Sequence, residues 1–370
     1  MRPTWVTIDP DAIARNVERL AEVVAPASVC AVVKADGYGH GAVPVARAAQ
    51  RGGASWLAVA LVEEGVALRE AEVDGPILLL SEPRPGEMPE AHAADLRPTL
   101  YSPVGIAAAA DAAAHGTVPW RVQLKVDTGM HRIGAAPDEA VALAERIASE
   151  PMLELEAVWT HCAVADEPED PFTATQLDRF DATVDALRQA GFGRLLRHAG
   201  NSAVGLAHPR GHYDLVRFGI ALYGIAPSPQ LDGAVALQPA LTLRSEVTHV
   251  QTVATGEGVS YGRRWRAPAP TRVATVPIGY ADGVRRSLPE CGGEVIVRGQ
   301  RRPMVGVVTM DQLMIDCGDL AVEIGDEVVL IGERDGLRIT AEEIAARLGT
   351  IGYEVVCAIG ARVPRRVKRR

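Results

Sequence analysis

Lysine is nearly absent from this 370-residue chain: three of its 38 basic residues are lysines, Lys34, Lys125 and Lys368, and the others are arginines. Arginine can replace lysine wherever only a positive charge is needed. Only an ammonium can shed its proton when desolvated and act as a nucleophile or base, because a guanidinium stays charged above pH ~12. Lysines that persist against this background are therefore candidates for chemistry. Lys368 lies in the basic terminus RVPRRVKRR and reads as solvated, whereas Lys34 and Lys125 each end an apolar run and precede a Gly-containing turn. Cysteine is scarce too. Cys30, Cys162, Cys291, Cys317 and Cys357 are odd in number and lack CxxC spacing, which argues against a disulfide framework or a structural zinc site. No metal is expected. No apolar stretch approaches the ~20 residues that span a bilayer. Residues 1–20 carry charges throughout, unlike a secretory leader. The net charge of −9 lacks the basic footprint of a nucleic-acid or membrane-surface protein. With 48% hydrophobic and 23% charged residues, wholesale disorder is excluded and a cytoplasmic globular protein is expected.

The chain is long for one domain and comfortable for two. From residue 28 to about 225, short apolar runs alternate with Ala-rich segments of helical periodicity, such as Pro137–Ser149 and Thr173–Ala190. The runs are Ser28–Val33, Trp56–Val62, Pro76–Ser81, Arg97–Leu100, Trp120–Val126, Leu153–His161, Leu195–Ala199 and Leu215–Ile220. Eight strand candidates, most followed by a helix candidate, predict an N-terminal (β/α)8 TIM-like barrel over residues 1–235. The run continuing to Gly224 reads equally as helix or strand. Residues 236–370 predict a separate β-rich domain, with strand-like runs at Leu241–Val253, Arg272–Pro277, Glu294–Arg298, Pro303–Thr309 and Glu327–Ile331. One helix is expected there at Ala341–Leu348, capped by Thr340 and stopped by Gly349. Thr4–Ile8 can add a strand to either half, the β-rich one included. There is no internal repeat.

In a parallel barrel the site lies at the C-terminal ends of the strands. Five of the runs end in polar clusters: Lys34-Ala-Asp-Gly-Tyr38-Gly-His40, Lys125-Val-Asp127-Thr-Gly-Met-His-Arg132, Thr160-His161-Cys, His198-Ala-Gly-Asn201-Ser202, and Arg217-Phe-Gly219-Ile220. One such cluster is often only a turn; five on one rim point to a site. They match three needs of a single cofactor chemistry. A carbonyl cofactor needs a desolvated amine for a Schiff base, a phosphate needs N–H and O–H donors, and a pyridine nitrogen needs a charged or hydrogen-bonding partner. Neither GxGxxG nor GxxxxGK[ST] occurs, so dinucleotide and P-loop readings have no support.

From Trp5 to about Arg365 the sequence resembles the bacterial alanine racemases, on specific motifs: AVVKADGYGHG at 31–41, LKVDTGMHRIG at 124–134, THCAVADE at 160–167, HAGNSA at 198–203, VRFGIALYG at 216–224, VSYG at 259–262, PIGYADG at 277–283, MDQLMID at 310–316 and IGYEVVCAIGARVPR at 351–365. The first resembles that family's pyridoxal phosphate signature. The resemblance implies a pyridoxal 5′-phosphate enzyme that interconverts L- and D-alanine and supplies D-alanine for peptidoglycan. It also implies a barrel plus a β domain, assembled as a head-to-tail homodimer with composite active sites.

By that resemblance Lys34 holds the cofactor as a Schiff base and then serves as the base on one face of the substrate Cα, acting on D-alanine. Tyr261, from the partner subunit, is the acid/base on the other face. His161 supports Tyr261 and Arg217, and Arg217 faces the ring nitrogen. Tyr38, Ser202, Gly219, Ile220 and Tyr353 match the phosphate-binding set. Arg132 and the Met310 backbone match the substrate-carboxylate contacts. Tyr280 and Asp311 match the entrance, and Lys125 matches a lysine that some members carbamylate. His198 and Asn201 read as supports.

Two segments depart from the family pattern. Gly306-Val307-Val308-Thr309-Met310-Asp311 has Val307 where the family commonly has arginine, and Arg263-Arg264-Trp265-Arg266 is unusually basic. That tract reads as a solvated loop, with dimer contact or substrate steering as the alternative. A broad-specificity or serine-preferring racemase on the same scaffold is the competing enzyme reading. A non-catalytic pyridoxal phosphate carrier is the non-enzyme one, which would need no Tyr261 or Met310.

Overall fold

A computed structural model describes residues 2–368. The chain separates into two compact units: residues 13–37 with 42–238, and residues 1–12 with 38–41 and 239–370.

The strands, in chain order, begin with β1 (Thr4–Ile8), β2 (Ser28–Val32), β3 (Trp56–Val59), β4 (Ile77–Leu79), β5 (Leu96–Arg97), β6 (Thr99–Leu100), β7 (Trp120–Lys125), β8 (Leu153–Trp159), β9 (Leu196–His198) and β10 (Leu215–Phe218). Strands β2 to β10 pair in parallel in the order β10-β2-β3-β4-β5 and β6-β7-β8-β9. Pro98, which cannot donate to a ladder, separates β5 from β6 within what is one passage of the chain. Backbone bonds from Asp214 N to Arg197 O and from Arg217 N to Gly200 O carry the ring from β9 to β10, and β10 closes it on β2. This is the eight-stranded barrel that the alternating runs predict. Where both faces are covered its strands are buried without alternation, as at Val29–Val32, Ile77–Leu79 and Leu215–Phe218, whereas β7 (WRVQLK) and the first half of β8 (LELE) alternate apolar and polar residues. The run Leu215–Gly224 resolves as strand to Phe218 and a 3-10 turn at Ile220–Tyr223, ended by Gly224 in the left-handed conformation.

The other unit alternates instead. Its strands are β1 with β11 (Leu241–Glu246), β12 (His249–Val253), β13 (Gly258–Val259), β14 (Trp265–Arg266), β15 (Thr271–Val276), β16 (Glu294–Val297), β17 (Gln300–Val305), β18 (Leu313–Gly318), β19 (Glu327–Arg334), β20 (Leu337–Ile339) and β21 (Arg365–Val367). In β1, β11 and β18 every second residue is buried, the pattern of a sheet with one face on a core. The sheet runs β12-β15-β18-β17-β16-β19-β11-β1-β21, so Thr4–Ile8 pairs antiparallel with β11 and parallel with β21. Val6, Ile8, Leu243, Val276, Ile296, Ile315 and Val329 lie in its core. Helix Ala341–Leu348 has the expected ends: the Thr340 hydroxyl accepts from Glu343 N at 3.0 Å, and Gly349 is left-handed.

The run Leu241–Val253 is two strands, not one. The chain turns where Val247 N and Thr248 N leave for Asp326 O and Thr275 O. The run at 303–309 starts earlier, at Gln300, and ends at Val305, because Gly306 takes a φ of +72°. Strand β18 and the short helix Gly352–Cys357 lie in motifs that carried no expected element.

Asp282 is fully buried and locks this unit's loops. Its carboxylate takes both Arg2 Nη1 and Nη2 (2.8 and 2.7 Å) and Gly279 N (3.0 Å), with Arg362 at 3.5 Å. Removing one partner of a buried pair leaves an uncompensated charge, at a cost of about 3–5 kcal/mol. Arg2→Ala, which leaves the fully buried Asp282 carboxylate without its bidentate partner, should therefore lower stability to urea by about that much. Arg210→Ala, which breaks exposed pairs to Asp178 and Asp181, should cost less than about 1 kcal/mol. Equal losses in the two variants would refute the distinction.

Candidate active site

Lys34 directly follows β2, where the chain enters an unusual path: Ala35, Asp36 and Gly37 have φ/ψ near (51°, 51°), (50°, 48°) and (61°, 45°), and Tyr38 and Gly39 also have positive φ. A run of left-handed residues is costly for side chains with a Cβ, roughly 1–2 kcal/mol each, and persists only where contacts over-determine it. Here Glu64 Oε1 accepts from Ala35 N (2.6 Å), and Asp36 Oδ1 accepts from Ala42 N (2.8 Å). Glu64 Oε2 takes Ala60 N and Leu61 N, so one carboxylate ties the turns after β2 and β3 together.

Arg217, on β10, is 3% exposed. Its Nη1 donates to His198 Nδ1 (2.7 Å), and its Nη2 donates to Thr160 O (2.9 Å), Ala199 O (3.1 Å) and His161 Nδ1 (3.1 Å). A guanidinium only donates, so both histidines accept at Nδ1 and are neutral, each with its proton on Nε2. Burial, then the Arg217 charge, holds both imidazoles well below their ordinary range. Burial also brings Arg217 itself down to about 10. Among the described residues no carboxylate lies against it. Trp159 carries much of this cluster on its ring: His198 stacks at 5.4 Å, Arg217 Cζ lies 4.6 Å away, and Lys125 Nζ 4.4 Å away.

Lys125 ends β7 and is 3% exposed. Burial first, then the charges of Arg217, Arg132 and Lys34, bring its amine down to about 7, against a small opposing pull from Asp127. Asp127 is occupied elsewhere: its Oδ1 takes Gly129 N (2.9 Å) and His131 N (3.1 Å), shaping the turn that carries Arg132 at its exposed tip. Four cations, Lys34, Lys125, Arg132 and Arg217, thus act on one another at this end of the barrel.

After β9, Asn201 caps helix Ser202–Ala207 through Val204 N (2.9 Å). Ser202 Oγ accepts from Gly219 N (2.9 Å) and Ala221 N (3.4 Å), so the hydroxyl keeps its own hydrogen to donate. Ile220 opens the 3-10 turn, where an N–H has no intrahelical acceptor. Ser202 and Gly219 are therefore in direct contact, with Ile220 next in the chain.

In the β-rich unit, Tyr38 and Tyr353 face each other with ring centroids 6.1 Å apart, and burial pushes the Tyr38 phenol up. Arg365 Nε donates to Gly39 O (3.1 Å), holding residues 38–41 in this unit. Tyr261 is 74% exposed, beside a groove that it lines with Gln251, Ser260, Thr309 and Gln312. Its turn is fixed by Ser260 Oγ donating to Val307 O (2.8 Å). A Cβ on Gly306 would stand 2.8 Å from Val259 O, so no other residue fits there. Val307 is buried and packs. The arginine tract is tied down: Arg264 pairs with Glu290, Arg263 lies 3.6 Å from Glu257, and Trp265 packs on Val253, Val259 and Val273. Tyr280 and Met310 are exposed on loops joined by Tyr280 N to Thr309 O and Ala281 N to Met310 O, and Asp311 pairs with Arg362 at 2.6 Å. Glu64, Trp159 and Asp282 were not singled out from the sequence. Asp282 lies within the PIGYADG motif, but its role, like those of the other two, depends on partners outside its own segment.

The profile described as "Alanine racemase, N-terminal domain" matches residues 8–227, and "Alanine racemase, C-terminal domain" matches residues 240–367. The chain belongs to the alanine racemase family. It is 46% identical over 368 residues to an alanine racemase of Symbiobacterium thermophilum, covering 99% of this chain and 97% of that one. With an alanine racemase of Thermobifida fusca it shares 44% identity over 362 residues, covering 97% and 96%. Its fold superposes on the crystal structure of alanine racemase from Streptomyces lavendulae with a TM-score of 0.95 at 39% identity, covering 100% and 98% of the two chains. The alanine racemase of Bacillus anthracis with bound L-Ala-P gives 0.93 at 38% identity, covering 100% and 96%.

Lys125 gives a test within this family fold. Its amine ordinarily titrates at 10.5 and in the fold at about 7, so the unfolded chain holds more protons between those values. Its contribution to stability is therefore lowest below pH 7 and rises with pH toward 10.5, by at most about 1.4 kcal/mol per pH unit. Urea unfolding of wild type and Lys125→Met from pH 7 to 9.5 should diverge in favour of the wild type. A difference constant with pH would contradict a desolvated Lys125.

Proposed function

We propose that this chain interconverts L- and D-alanine with pyridoxal 5′-phosphate in the cytoplasm, as a homodimer whose active sites are composite, and that it supplies D-alanine for peptidoglycan. The observation that carries the reading is Arg217: a buried cation that makes only donor contacts, with no carboxylate among the described residues against it.

The donor chemistry fits the cofactor. Ser202 Oγ, oriented by Gly219 N, and Ile220 N with the phenols of Tyr38 and Tyr353 would hold the phosphate, Lys34 Nζ the aldehyde carbon, and Arg217 the ring nitrogen. When bound, pyridoxal phosphate supplies an electron sink that acidifies the substrate Cα–H. Arg217 is a very poor acid and leaves the ring nitrogen largely unprotonated, which restrains that sink and favours simple return of the proton. An Asp or Glu here would favour decarboxylation or transamination instead.

Inversion needs proton carriers on both faces of Cα. Lys34 Nζ takes and returns the proton on the face used by D-alanine. The Tyr261 phenol of a second copy does so on the face used by L-alanine. The exposure of Tyr261 suits a group that serves another molecule. His161, its Nδ1 already accepting from Arg217, has Nε2–H left to support that phenol. Arg132 and the Met310 N–H orient the substrate carboxylate, with Lys125 steadying Arg132. His198 and Asn201 hold Arg217 and the helix at Ser202, and Tyr280 and Asp311 line the entrance.

Lys34→Ala should lose both the visible absorption of bound cofactor and racemisation. Tyr261→Phe should keep the absorption and lose racemisation by about a thousandfold. A Tyr261→Phe protein that racemises alanine normally would contradict the assignment, and faster turnover of L-serine or L-lysine than of L-alanine would contradict the substrate.

A further inference from the structure

The charge of Arg217 is answered at a distance. His198 accepts from it at Nδ1, so the imidazole proton sits on Nε2, which meets Gln123 Oε1 at 2.9 Å. The Nε2 amide of Gln123 is 3.3 Å from Glu156 Oε2. An ionised carboxylate only accepts, so Glu156 sets the amide's orientation from one end as Arg217 sets the imidazole's from the other. All three bonds donate in one direction, from the buried cation toward the anion. Gln123 is fully buried, and both ends of its amide are used.

The backbone places Glu156 for this. The register of β7 on β8 slips by one residue: Val122 pairs with Leu155 and Gln123 with Ala157, leaving Glu156 as the extra residue of a bulge. Bulges re-aim a side chain, and they recur beside active sites. Glu156 also pairs with Arg97 (Nε at 3.7 Å), whose charge is its strongest electrostatic partner, and lies 4.0 Å from Arg121 Nη1, so the carboxylate that the Gln123 amide meets is itself held in place by two arginines.

We propose that Gln123 is a positioning residue for Arg217: by bridging His198 to Glu156 it holds the imidazole in the one tautomer and plane that accept the guanidinium, and so aims Arg217 at the cofactor ring nitrogen. The target of Arg217 rests on the racemase reading above; the bridge itself does not.

The test uses the resting full-length holoenzyme labelled with 15N in histidine, the His198 signals being assigned by their loss in His198→Gln. Wild type should show a slowly exchanging proton on His198 Nε2 and an unprotonated Nδ1. Gln123→Met, which keeps the length of the side chain, should lose the protected Nε2 proton and drop kcat by about tenfold or more, with KM within about twofold. The double exchange Gln123→Glu with Glu156→Gln re-forms the bridge with the carboxylate one step nearer. It should restore the protected proton and bring kcat to within about fivefold of wild type. A Gln123→Met protein that keeps the His198 signal would overturn the proposal, whatever its kcat, as would a double exchange that restores neither readout. The His198 arm is read without turnover, so a wild-type chain that fails to racemise alanine contradicts the racemase reading alone.

Discussion

A guanidinium enclosed in a barrel constrains everything near it. It offers five N–H groups, accepts nothing, and stays charged, so each contact must be an acceptor held in place by something else. At Arg217 those acceptors are the carbonyls of Thr160 and Ala199, at the ends of β8 and β9, and the Nδ1 atoms of His161 and His198. The two neutral imidazoles follow from this demand. Lys125 is buried beside it, so burial and then the repulsion of Arg217 lower its amine, and the Trp159 ring backs Lys125 and Arg217 alike. An end of the barrel rich in cations and donors, with its nearest carboxylates turned to backbone N–H groups, suits an anionic, phosphate-bearing ligand better than a cationic one.

The β-rich unit meets a different requirement. A phenol that serves another molecule must be exposed yet fixed, and exposed loops are ordinarily the least fixed parts of a fold. Tyr261 is held from behind by Ser260 on Val307, by the close approach at Gly306 and by the anchored Trp265. The loops that carry Tyr280, Met310 and Asp311 are held by the buried Asp282 and the Arg362 pair. The arginines flanking Trp265 are exposed and make surface pairs, as a solvated loop does, and Trp265 is the residue of the tract that packs.

The eight barrel strands were legible because each carries a short run rich in apolar residues at regular spacing, a pattern that needs no knowledge of partners. Lys34 and Lys125 stood out because lysine is rare here, and Thr340 with Gly349 because caps act locally. The bulge at Glu156 was not legible, since one extra residue leaves the apolar rhythm of β8 intact. Nothing local marks the partners of Gln123 either, since His198 lies 75 residues away and Glu156 33 residues away. Asp282 finds Arg2 across 280 positions, and residues 38–41 pack with residues 352–365 through Arg365 and Tyr353. The left-handed path after Lys34 escaped because Ala35 and Asp36 do not favour it; Glu64 and the turn itself impose it. In each case a long-range contact decided what local preference could not.

The central claim is that two different groups, the Lys34 amine and the Tyr261 phenol, move protons on opposite faces of one carbon. It is tested most directly by following solvent deuterium into Cα of each alanine enantiomer in heavy water. Wild type should place deuterium in the inverted product from either enantiomer, and Tyr261→Phe should still exchange D-alanine without inverting it. Inversion without solvent deuterium, or exchange of L-alanine alone by Tyr261→Phe, would contradict the account.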